Sequence, residues 1–395
     1  MRAELIAEIL EGKRQFSGAR AALMDADELQ PTAEHAYRLG LLALRAGNDS
    51  QAVDDYEKAV AREPDYLLYA ESLAYASRRA GRTKQAEELL QRIVARYPDR
   101  VAAYRELAYT QLALGRQNDA ATTLRQAIDA QLATTPPSEG ERASETLPAM
   151  RSEYESLARR FATTVYESYR PNGGPAVGGT FNGGVIPSAG GAELSYFPAG
   201  ALSRSDAALQ FGARLLWTNS ASGLAIDHQS LQAGLSVRYK PLAQTNFFVG
   251  AERLVKIGAD TRSDWLLRGS FGLGNEVERQ ADRTHWNYWQ FYADAGYFVS
   301  SRTEATYLEF RRGVTLPATA NLLITPHVVL AYRQQSPDPT RTSISEGGPG
   351  VSFKYLSRGS RYEPHGSTFD APLQYRERLS GRGHGEWVLT GVARF

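Results

Sequence analysis

Cysteine is absent from the 395 residues of this chain. Its absence excludes disulfide bonds, thiolate metal sites and cysteine nucleophiles, and it suits an oxidising compartment, where a stray thiol would react. The chain also lacks an excess of either charge, because 45 basic and 44 acidic residues give a net charge of +1. Such a balance provides no general attraction to nucleic acid, so we expect no nucleic-acid partner.

Long hydrophobic runs are missing as well. No segment approaches the roughly 18–20 consecutive apolar residues that a membrane-spanning helix needs. The mean hydropathy of -0.41 is still compatible with a membrane barrel, because every second residue of a barrel strand faces the lumen and can be polar. From Met1 to Arg14 no apolar core follows a basic start, so no signal peptide is visible. If the chain forms a membrane barrel it needs one, and we then expect that the true start lies upstream of Met1 or that the sequence is a fragment.

The composition changes once along the chain. All five tryptophans and every phenylalanine except Phe16 lie after residue 160, whereas the first part is rich in Ala, Leu, Arg and Glu, a mixture typical of surface helices. Pro136 and Pro137 break any helix that reaches them. We therefore predict a two-domain α + β protein, with a helical domain at 1–132, a linker and helix at 133–160, and a β domain at 161–395.

Small residues and prolines of the helical part recur at a step of 34 residues. A period of about 34 with small residues at fixed positions is the tetratricopeptide signature, which predicts an α-solenoid of helix pairs. The pattern places three repeats over residues 33 to about 130 and a degenerate earlier repeat over 3–30. The series that begins at Gly40 allows the two helices of a repeat to approach closely, and the series that begins at Gly47 ends the first helix of each repeat. The four series are Gly40, Ala74 and Ala108; Gly47, Gly81 and Gly115; Ala52, Ala86 and Ala120; and Pro64 and Pro98.

Tyrosines recur on the first helices of the predicted repeats, which line the concave face of such a solenoid. That face commonly binds a partner. Tyr37, Tyr69 and Tyr104 are therefore candidate residues of a repeat groove, and Tyr75 and Tyr109 lie on the same helices. Two interpretations stay open: the tyrosines pack between the helices, or they line a groove for a peptide or a glycan.

From residue 161 onward the hydrophobic period becomes two. Segments of about ten alternating residues with aromatic ends are what a membrane β-barrel needs, and its sheet must close on itself. We predict about twelve antiparallel strands. Long polar connections at Ser336–Gly348, Asn275–Thr284 and Ser357–Thr368 are predicted extracellular loops. The clearest alternation lies in Ala207–Trp217, Leu231–Lys240, Asp264–Leu273, Trp289–Tyr297 and Glu386–Phe395.

A soluble β-sandwich also alternates, but it rarely buries charge. Here the polar face carries many charged residues and the apolar face carries long aromatic ladders, which favours a transmembrane barrel. Arg253 shares a face with Phe247, Val249 and Val255, so that strand alternates imperfectly. We expect the charges to pair inside the barrel. The predicted lumen residues are Arg214, Arg238, Glu252, Lys256, Arg268, Asp294, Arg376 and Arg394.

Catalytic and cofactor motifs are hard to find in this sequence. The six histidines show no HExxH or comparable metal spacing. The glycine pairs at 173–174 and 178–179 lack the GK[ST] ending and the following helix of a phosphate loop. We therefore expect no cofactor, no metal and no catalytic site. An outer-membrane hydrolase stays open as an alternative, because sequence separation alone does not exclude a Ser-His-Asp arrangement.

The segment from Leu231 to Gly274 resembles the C-terminal domain of NfrA-type bacteriophage adsorption proteins, and the resemblance extends from about residue 160 to the C-terminus. Those proteins place helical repeats ahead of an outer-membrane barrel. More distantly, the layout is similar to that of the exopolysaccharide export porins BcsC and PgaA. The elements that carry the resemblance are YKPL at 239–242, AER at 251–253, IG at 257–258, DWLLR at 264–268, YADA at 292–295 and PH at 326–327.

The resemblance implies a Gram-negative outer-membrane protein, linked to exopolysaccharide export and able to serve as a phage receptor. Its expected partners are outer-membrane lipid, a phage tail protein, an exopolysaccharide and a periplasmic or inner-membrane polysaccharide synthase, with the repeats in the periplasm. Two hypotheses remain. The barrel is a conduit for the polysaccharide, or it is a plugged surface receptor and anchor that does not transport.

Overall fold

The computed structural model describes residues 2–134, 146–171, 188–198, 203–204, 207–219, 225–242, 245–275, 284–336, 342–363, 365–381 and 384–395. The chain divides into two compact units, Met1–Ala158 and Arg159–Phe395. Over these ranges, no helix combines the length and the apolar character that crossing a membrane would require.

Unit 1 is helical throughout its described part. Consecutive helices pack against each other, so that α3 with α4, α5 with α6 and α7 with α8 form the three predicted repeats, and α1 with α2 forms a further pair before them. Within the ranges given above the helices are α1 (Arg2–Gly12), α2 (Phe16–Leu29), α3 (Ala33–Arg45), α4 (Asp49–Arg62), α5 (Leu67–Arg79), α6 (Thr83–Arg96), α7 (Val101–Ala113), α8 (Gln117–Thr134) and α9 (Thr146–Ala158).

The repeating small residues do what their spacing predicts. Gly47, Gly81 and Gly115 follow α3, α5 and α7 with φ of +79°, +78° and +75°, the left-handed conformation in which glycine ends a helix. At Gly40 a Cβ atom would lie 2.6 Å from the ring of Tyr56 on α4. Tyr56 is completely buried, so the helices of that repeat can approach this closely only because Gly40 has no side chain.

Unit 2 is one antiparallel sheet. The sheet order runs β2-β1-β13-β12 and then sequentially back to β3, and β2 also pairs with β4. The pairing of β2 with β4 closes a ring of twelve strands, with the two-residue strand β3 attached to β4. The predicted closed barrel of about twelve strands is confirmed. The strands are β1 (Phe161–Tyr169), β2 (Ala189–Tyr196), β3 (Ser203–Arg204), β4 (Ala207–Thr218), β5 (Gln232–Lys240), β6 (Asn246–Lys256), β7 (Asp264–Gly274), β8 (Trp286–Phe298), β9 (Thr303–Pro317), β10 (Leu322–Ser336), β11 (Thr342–Arg358), β12 (His365–Ser380) and β13 (Glu386–Arg394).

The outward face of the barrel is apolar. Leu235 on β5, Leu267 on β7 and Leu330 on β10 are 62%, 50% and 50% exposed, whereas their neighbours in sequence point inward. An apolar band on the outside of a closed sheet is the surface that a bilayer covers. Arg253 also faces outward, as its strand pattern predicts, and its guanidinium carbon lies 5.6 Å from the centre of the Trp265 ring.

Strand direction corrects the predicted loops. Residues 342–358 form β11 and pair with β10 and β12, so most of Ser336–Gly348 is a strand instead of a loop. Because antiparallel strands alternate in direction, the connection between β10 and β11 lies at one end of the barrel, and those after β7 and after β11 lie at the other end. The three segments therefore cannot all be extracellular.

Both ends of unit 2 meet in the ring. The first strand, β1, pairs with the last, β13, over Thr164–Tyr169 and Leu389–Arg394. The backbone amide and carbonyl of Thr163 bond those of Phe395 at 3.1 and 2.9 Å. Among the ladders that the structure describes within the ring, this one is the shortest, at six residues per strand.

Candidate functional site: the charged interior of the barrel

Charged side chains of strands that are not neighbours in the ring meet each other. Arg376 on β12 lies 2.7 Å from Glu309 on β9 (Nη2 to Oε2), and Arg238 on β5 lies 2.7 Å from Glu193 on β2 (Nη2 to Oε1). In a closed barrel such contacts run through the interior, so these residues line or fill the lumen.

Interior glycines make room for these contacts. A Cβ atom at Gly234 on β5 would collide with the Glu252 carboxylate and lie 3.2 Å from Cγ of Arg214. A Cβ atom at Gly350 on β11 would lie 2.7 Å from Gln374 and 3.0 Å from His327. The missing side chains of β5 and β11 therefore let the residues on their two flanking strands bond over them.

The first of two charged groups occupies the half of the interior formed by β1 to β8. Arg214 donates to both carboxylate oxygens of Glu252, with 2.6 Å between Nη2 and Oε2. Arg268 donates from Nε to Asp294 Oδ2 at 2.7 Å, and the Tyr292 hydroxyl donates to the same oxygen at 3.1 Å. The sequence predicted the charged members of these pairs as lumen residues, and the structure brings them together as matched ion pairs.

A cavity of about 280 Å³ lies beside the first group. This volume is just below the roughly 300–1,000 Å³ of most small-ligand sites. Its wall mixes charged, amide, hydroxyl and aromatic groups, including Arg238, Gln210, Asn246, Phe248 and Tyr292. Asn246 begins β6 and Gln210 lies near the start of β4, which places the cavity toward the end of the barrel where β1 begins and β13 ends.

The second charged group, which we call the arginine cluster, fills the other half of the interior. Its residues are Arg170, Glu309, Arg311, Arg333, Glu346, Arg376, Arg378 and Glu386. Arg170, Glu346 and Arg376 are 2%, 2% and 4% exposed, so the interior at this level is occupied by side chains. Arg170 donates from Nη1 to Glu386 at 2.8 Å and bonds Glu346 at 3.3 Å.

Two predicted lumen residues lie at the ends of the barrel, away from both groups. Lys256 is exposed and donates from Nζ to the carbonyl of Ala259 at 3.0 Å, in the connection that follows β6. Arg394 is exposed at the end of β13. Both follow the alternation of their strands, but alternation gives the face of a residue and not its depth in the barrel.

The sequence pattern predicted only Arg376, of all the residues of the arginine cluster, as an interior residue. Glu309 and Arg311 alternate with the outward Leu308 and Phe310 on β9, and this pattern could have identified them. Arg170 lies after the end of β1, and Glu346 lies in the segment predicted as a loop, so periodicity gave no signal for either residue.

The repeat tyrosines occupy three kinds of position. Tyr37 and Tyr69 stack between helices, with ring centres 5.1 Å apart, and burial is the main cause that raises the pKa of Tyr69. Tyr104 is half-buried on α7. Tyr75 is 37% exposed and lines a cavity of about 320 Å³ between α3, α5 and α7, together with Leu41 and Glu106.

Potential metal ligands do not gather into a site within the described ranges. No set of three or more His, Asp or Glu side chains there could hold a metal ion. The buried His327 contacts Gln374 at 2.8 Å and the Thr325 carbonyl at 2.9 Å.

Most of the barrel unit matches a known family model. Residues 223–392 match the family model described as "Bacteriophage N adsorption protein A C-term". This part of the barrel is therefore similar to the C-terminal domain of NfrA-type proteins. Residues 77–134 and 36–66 match two tetratricopeptide repeat models. The resemblance to NfrA-type proteins, with repeats ahead of this domain, is therefore confirmed.

Solved structures similar to this chain share low sequence identity with it. The crystal structure of MamA protein has 18% identity and a TM-score of 0.31, and covers 39% of this chain and 89% of its own. A putative kinesin light chain from Podosopora anserina with nearly identical TPR-like repeats has 22% identity and a TM-score of 0.33, over 40% and 83% of the two chains. YrrB, "a TPR protein with an unusual peptide-binding site", has 18% identity and a TM-score of 0.30, over 39% and 84%. No curated protein matches the chain.

Proposed function

We propose that this protein is an outer-membrane surface receptor to which a bacteriophage adsorbs, and that its barrel anchors the chain without transporting a substrate. The observation that carries the proposal is the arginine cluster, whose buried side chains fill one half of the lumen. The match to the phage adsorption family supports the receptor role. The role needs no catalysis, so we propose that the protein is not an enzyme.

The lengths of the connections support one orientation in the membrane. At the end opposite the barrel termini, residues 170–188 join β1 to β2 and residues 219–231 join β4 to β5. The other four connections at that end span four to seven residues, and at the end where β1 begins the longest connection, residues 275–285, is shorter than either of the two long ones. Bacterial barrels have short periplasmic turns and longer extracellular loops. The proposal therefore assigns the barrel termini and the repeat unit to the periplasm, where the repeats bind a partner protein or a glycan.

Two single-cysteine variants test this orientation, because the chain contains no other cysteine. Asp260→Cys lies in the exposed connection between β6 and β7, and Leu242→Cys lies in the exposed connection after β5, at the opposite end. A maleimide that does not cross membranes should label Asp260→Cys on intact cells, and should label Leu242→Cys only after the outer membrane is permeabilised. The reverse labelling pattern would refute the orientation.

The receptor role is tested by adsorption. Phages isolated on the source bacterium are mixed with cells that carry or lack the protein, and unadsorbed particles are counted. We expect at least one phage to lose adsorption when the protein is missing and to regain it when the full chain is restored. Equal adsorption of all the phages to both cell types would contradict a receptor role.

Export of an exopolysaccharide is the second candidate function, with a periplasmic or inner-membrane synthase as partner. The cavity near the periplasmic end favours it, because its amide, hydroxyl and aromatic groups suit a sugar. Conductance of the full chain in planar bilayers separates the candidates. Insertion without steady current supports the closed receptor. A steady current that added oligosaccharide reduces supports export and contradicts the closed barrel.

A further inference from the structure

One carboxylate in the arginine cluster is surrounded by four guanidinium groups. Glu346 Oε1 lies 3.1 Å from Arg378 Nη1 and 3.3 Å from Arg170 Nη1. Glu346 Oε2 lies 3.8 Å from Arg333 Nη2 and 3.9 Å from Arg376 Nη1. The single negative charge of Glu346 is therefore shared among four positively charged arginines inside the barrel.

The other two acids of the cluster, Glu309 and Glu386, do not compensate the remaining positive charge. Glu386 pairs with Arg170, and Glu309 pairs with Arg376 and Arg311. In this group the described residues supply five guanidinium groups and three carboxylates, an excess of two positive charges. Asp370 is the next inward acid on β12, six residues from Arg376 and about 20 Å along the strand, which is too far for an ion pair.

Several guanidinium donors in the cluster are also unused. Arg333 Nε, Arg376 Nη1 and Arg378 Nε are buried without a hydrogen-bond partner, and Arg378 Nη1 is not aligned for a hydrogen bond to Glu346 Oε1 although the two atoms are 3.1 Å apart. Of the four arginines, only Arg170 is positioned to donate hydrogen bonds to Glu346. Arg376 is 4% exposed and the Arg378 side chain 8%, so bulk water does not reach these donors freely. Buried charged donors without acceptors are costly, which favours an acceptor that carries negative charge.

We propose that the barrel interior binds an oxyanion in contact with Arg333, Arg376 and Arg378, next to Glu346. The planar guanidinium fork matches the paired oxygens of phosphate, sulfate and carboxylate better than a spherical halide. An anion with two negative charges neutralises the excess and one with a single charge halves it, and its oxygens accept hydrogen bonds from the unpaired guanidinium donors. The site lies toward the end of the barrel opposite its termini, near the last residues of β10 and β12.

Isothermal titration calorimetry on the refolded full chain in detergent micelles tests the site, with inorganic phosphate, sodium sulfate and sodium chloride as probes at constant ionic strength. We expect one phosphate or sulfate per chain and at least tenfold weaker binding of chloride. Above its Kd, phosphate should also raise the midpoint of thermal unfolding by roughly 3–5 °C for each tenfold increase in its concentration. Failure to detect phosphate or sulfate binding would overturn the proposal.

Charge-changing variants separate the site from a general salt effect on stability. Arg378→Gln and Arg333→Gln should each weaken phosphate binding by about 10-fold to 100-fold, because each removes charged donors. Glu346→Gln should tighten it, since the variant removes the negative charge nearest to the anion. Arg312→Gln is the matched control, because Arg312 is exposed on the outward face of β9 and should leave binding unchanged. Equal binding by Arg378→Gln, Arg333→Gln and Arg312→Gln, or weaker binding by Glu346→Gln, would refute the proposed site.

Discussion

Arg376 and Glu309 face each other across the barrel interior at 2.7 Å, although β10 and β11 separate their strands in the ring. Glu309 also pairs with Arg311 at 2.7 Å. One carboxylate therefore connects strands that share no backbone hydrogen bonds, and it does so where the side chains are almost completely buried. Such a connection makes the stability of β9 depend on that of β12.

Replacement of Glu309 tests how strongly this contact holds the barrel. Glu309→Gln leaves two buried arginines without their partner, so we expect the free energy of unfolding to fall by about 3–5 kcal/mol. Urea unfolding of the full chain in lipid vesicles, followed by tryptophan fluorescence, measures it, because all five tryptophans lie in the barrel unit.

Two comparisons sharpen this measurement. Glu304→Gln, at an exposed position on the same strand, should change the free energy by less than about 0.5 kcal/mol. Arg376→Met combined with Glu309→Leu should cost less than the sum of the two single changes, because it removes both members of the pair. Additive costs would mean that the two side chains do not interact.

An arginine on the outward face tests whether the barrel is covered by lipid. Leu235→Arg lies near the middle of β5 and is 62% exposed. In a bilayer it should cost roughly 2–4 kcal/mol, whereas Leu242→Arg, in the connection after β5, should cost about 0–1 kcal/mol. Urea unfolding in lipid vesicles compares them. Small and equal effects would indicate that water, and not lipid, covers this face.

Gly40 tests the packing of the first full repeat. A Cβ atom there would lie 2.6 Å from the buried Tyr56 ring, so Gly40→Ala should destabilise the repeat unit by about 1–3 kcal/mol. Circular dichroism at helical wavelengths reports this unit, since every α-helix in the described ranges belongs to it. Gly12→Ala is the control, because nothing lies within 4 Å of its Cβ position. If the loss comes from Tyr56, adding Tyr56→Leu should recover part of it.

Asp27 makes the repeat unit sensitive to acid. Burial acts to raise the pKa of Asp27, but hydrogen bonds from Arg62 and from the Thr32 amide outweigh it, so the pKa lies below the ordinary aspartate value. A lowered pKa in the folded state gives stability that is complete above the unfolded pKa of about 3.9. That stability is lost as the pH falls from there through the folded pKa.

The acid dependence can be assigned with one substitution. In the full chain, helical signal followed during urea unfolding should show a smaller loss of stability between pH 5 and the acid limit for Asp27→Asn than for the unaltered protein. Asp65→Asn is the comparison, because the Asp65 side chain is 80% exposed and should keep the original profile. An unchanged profile for Asp27→Asn would refute the role of this carboxylate.

The sequence predicted those parts of the fold that depend on local repetition. The 34-residue step predicted the helix pairs, since Gly40 and Gly81 are needed at fixed places in each repeat. Alternation predicted strand faces, so Arg214 and Glu252 were expected inside the barrel. Their pairing was not predictable in detail, because it depends on Gly234 of the strand between them and on the register of three strands.

Glu346 illustrates why some charged residues of the interior could not be predicted from the sequence. It lies in the segment TSISEGGPG at 342–350, whose glycines and proline are typical of a loop. In the barrel this segment is a strand, and Gly350 is small because the side chains of Gln374 and His327 meet over it. The requirement for small residues comes from neighbours that are distant in the sequence, so no local pattern reveals it.

The ladder between β1 and β13 has a consequence for how the barrel forms. Thr164 pairs with Arg394, about 230 positions away in the chain, whereas the other neighbouring strands are mostly joined by short connections. Hairpins can form as soon as their two strands meet, but this seam can close only after the intervening strands are in place. Until then β1 and β13 both present unpaired edges that can bind other chains. We therefore expect seam closure to limit the rate of assembly, and a chaperone that shields these two edges to accelerate it.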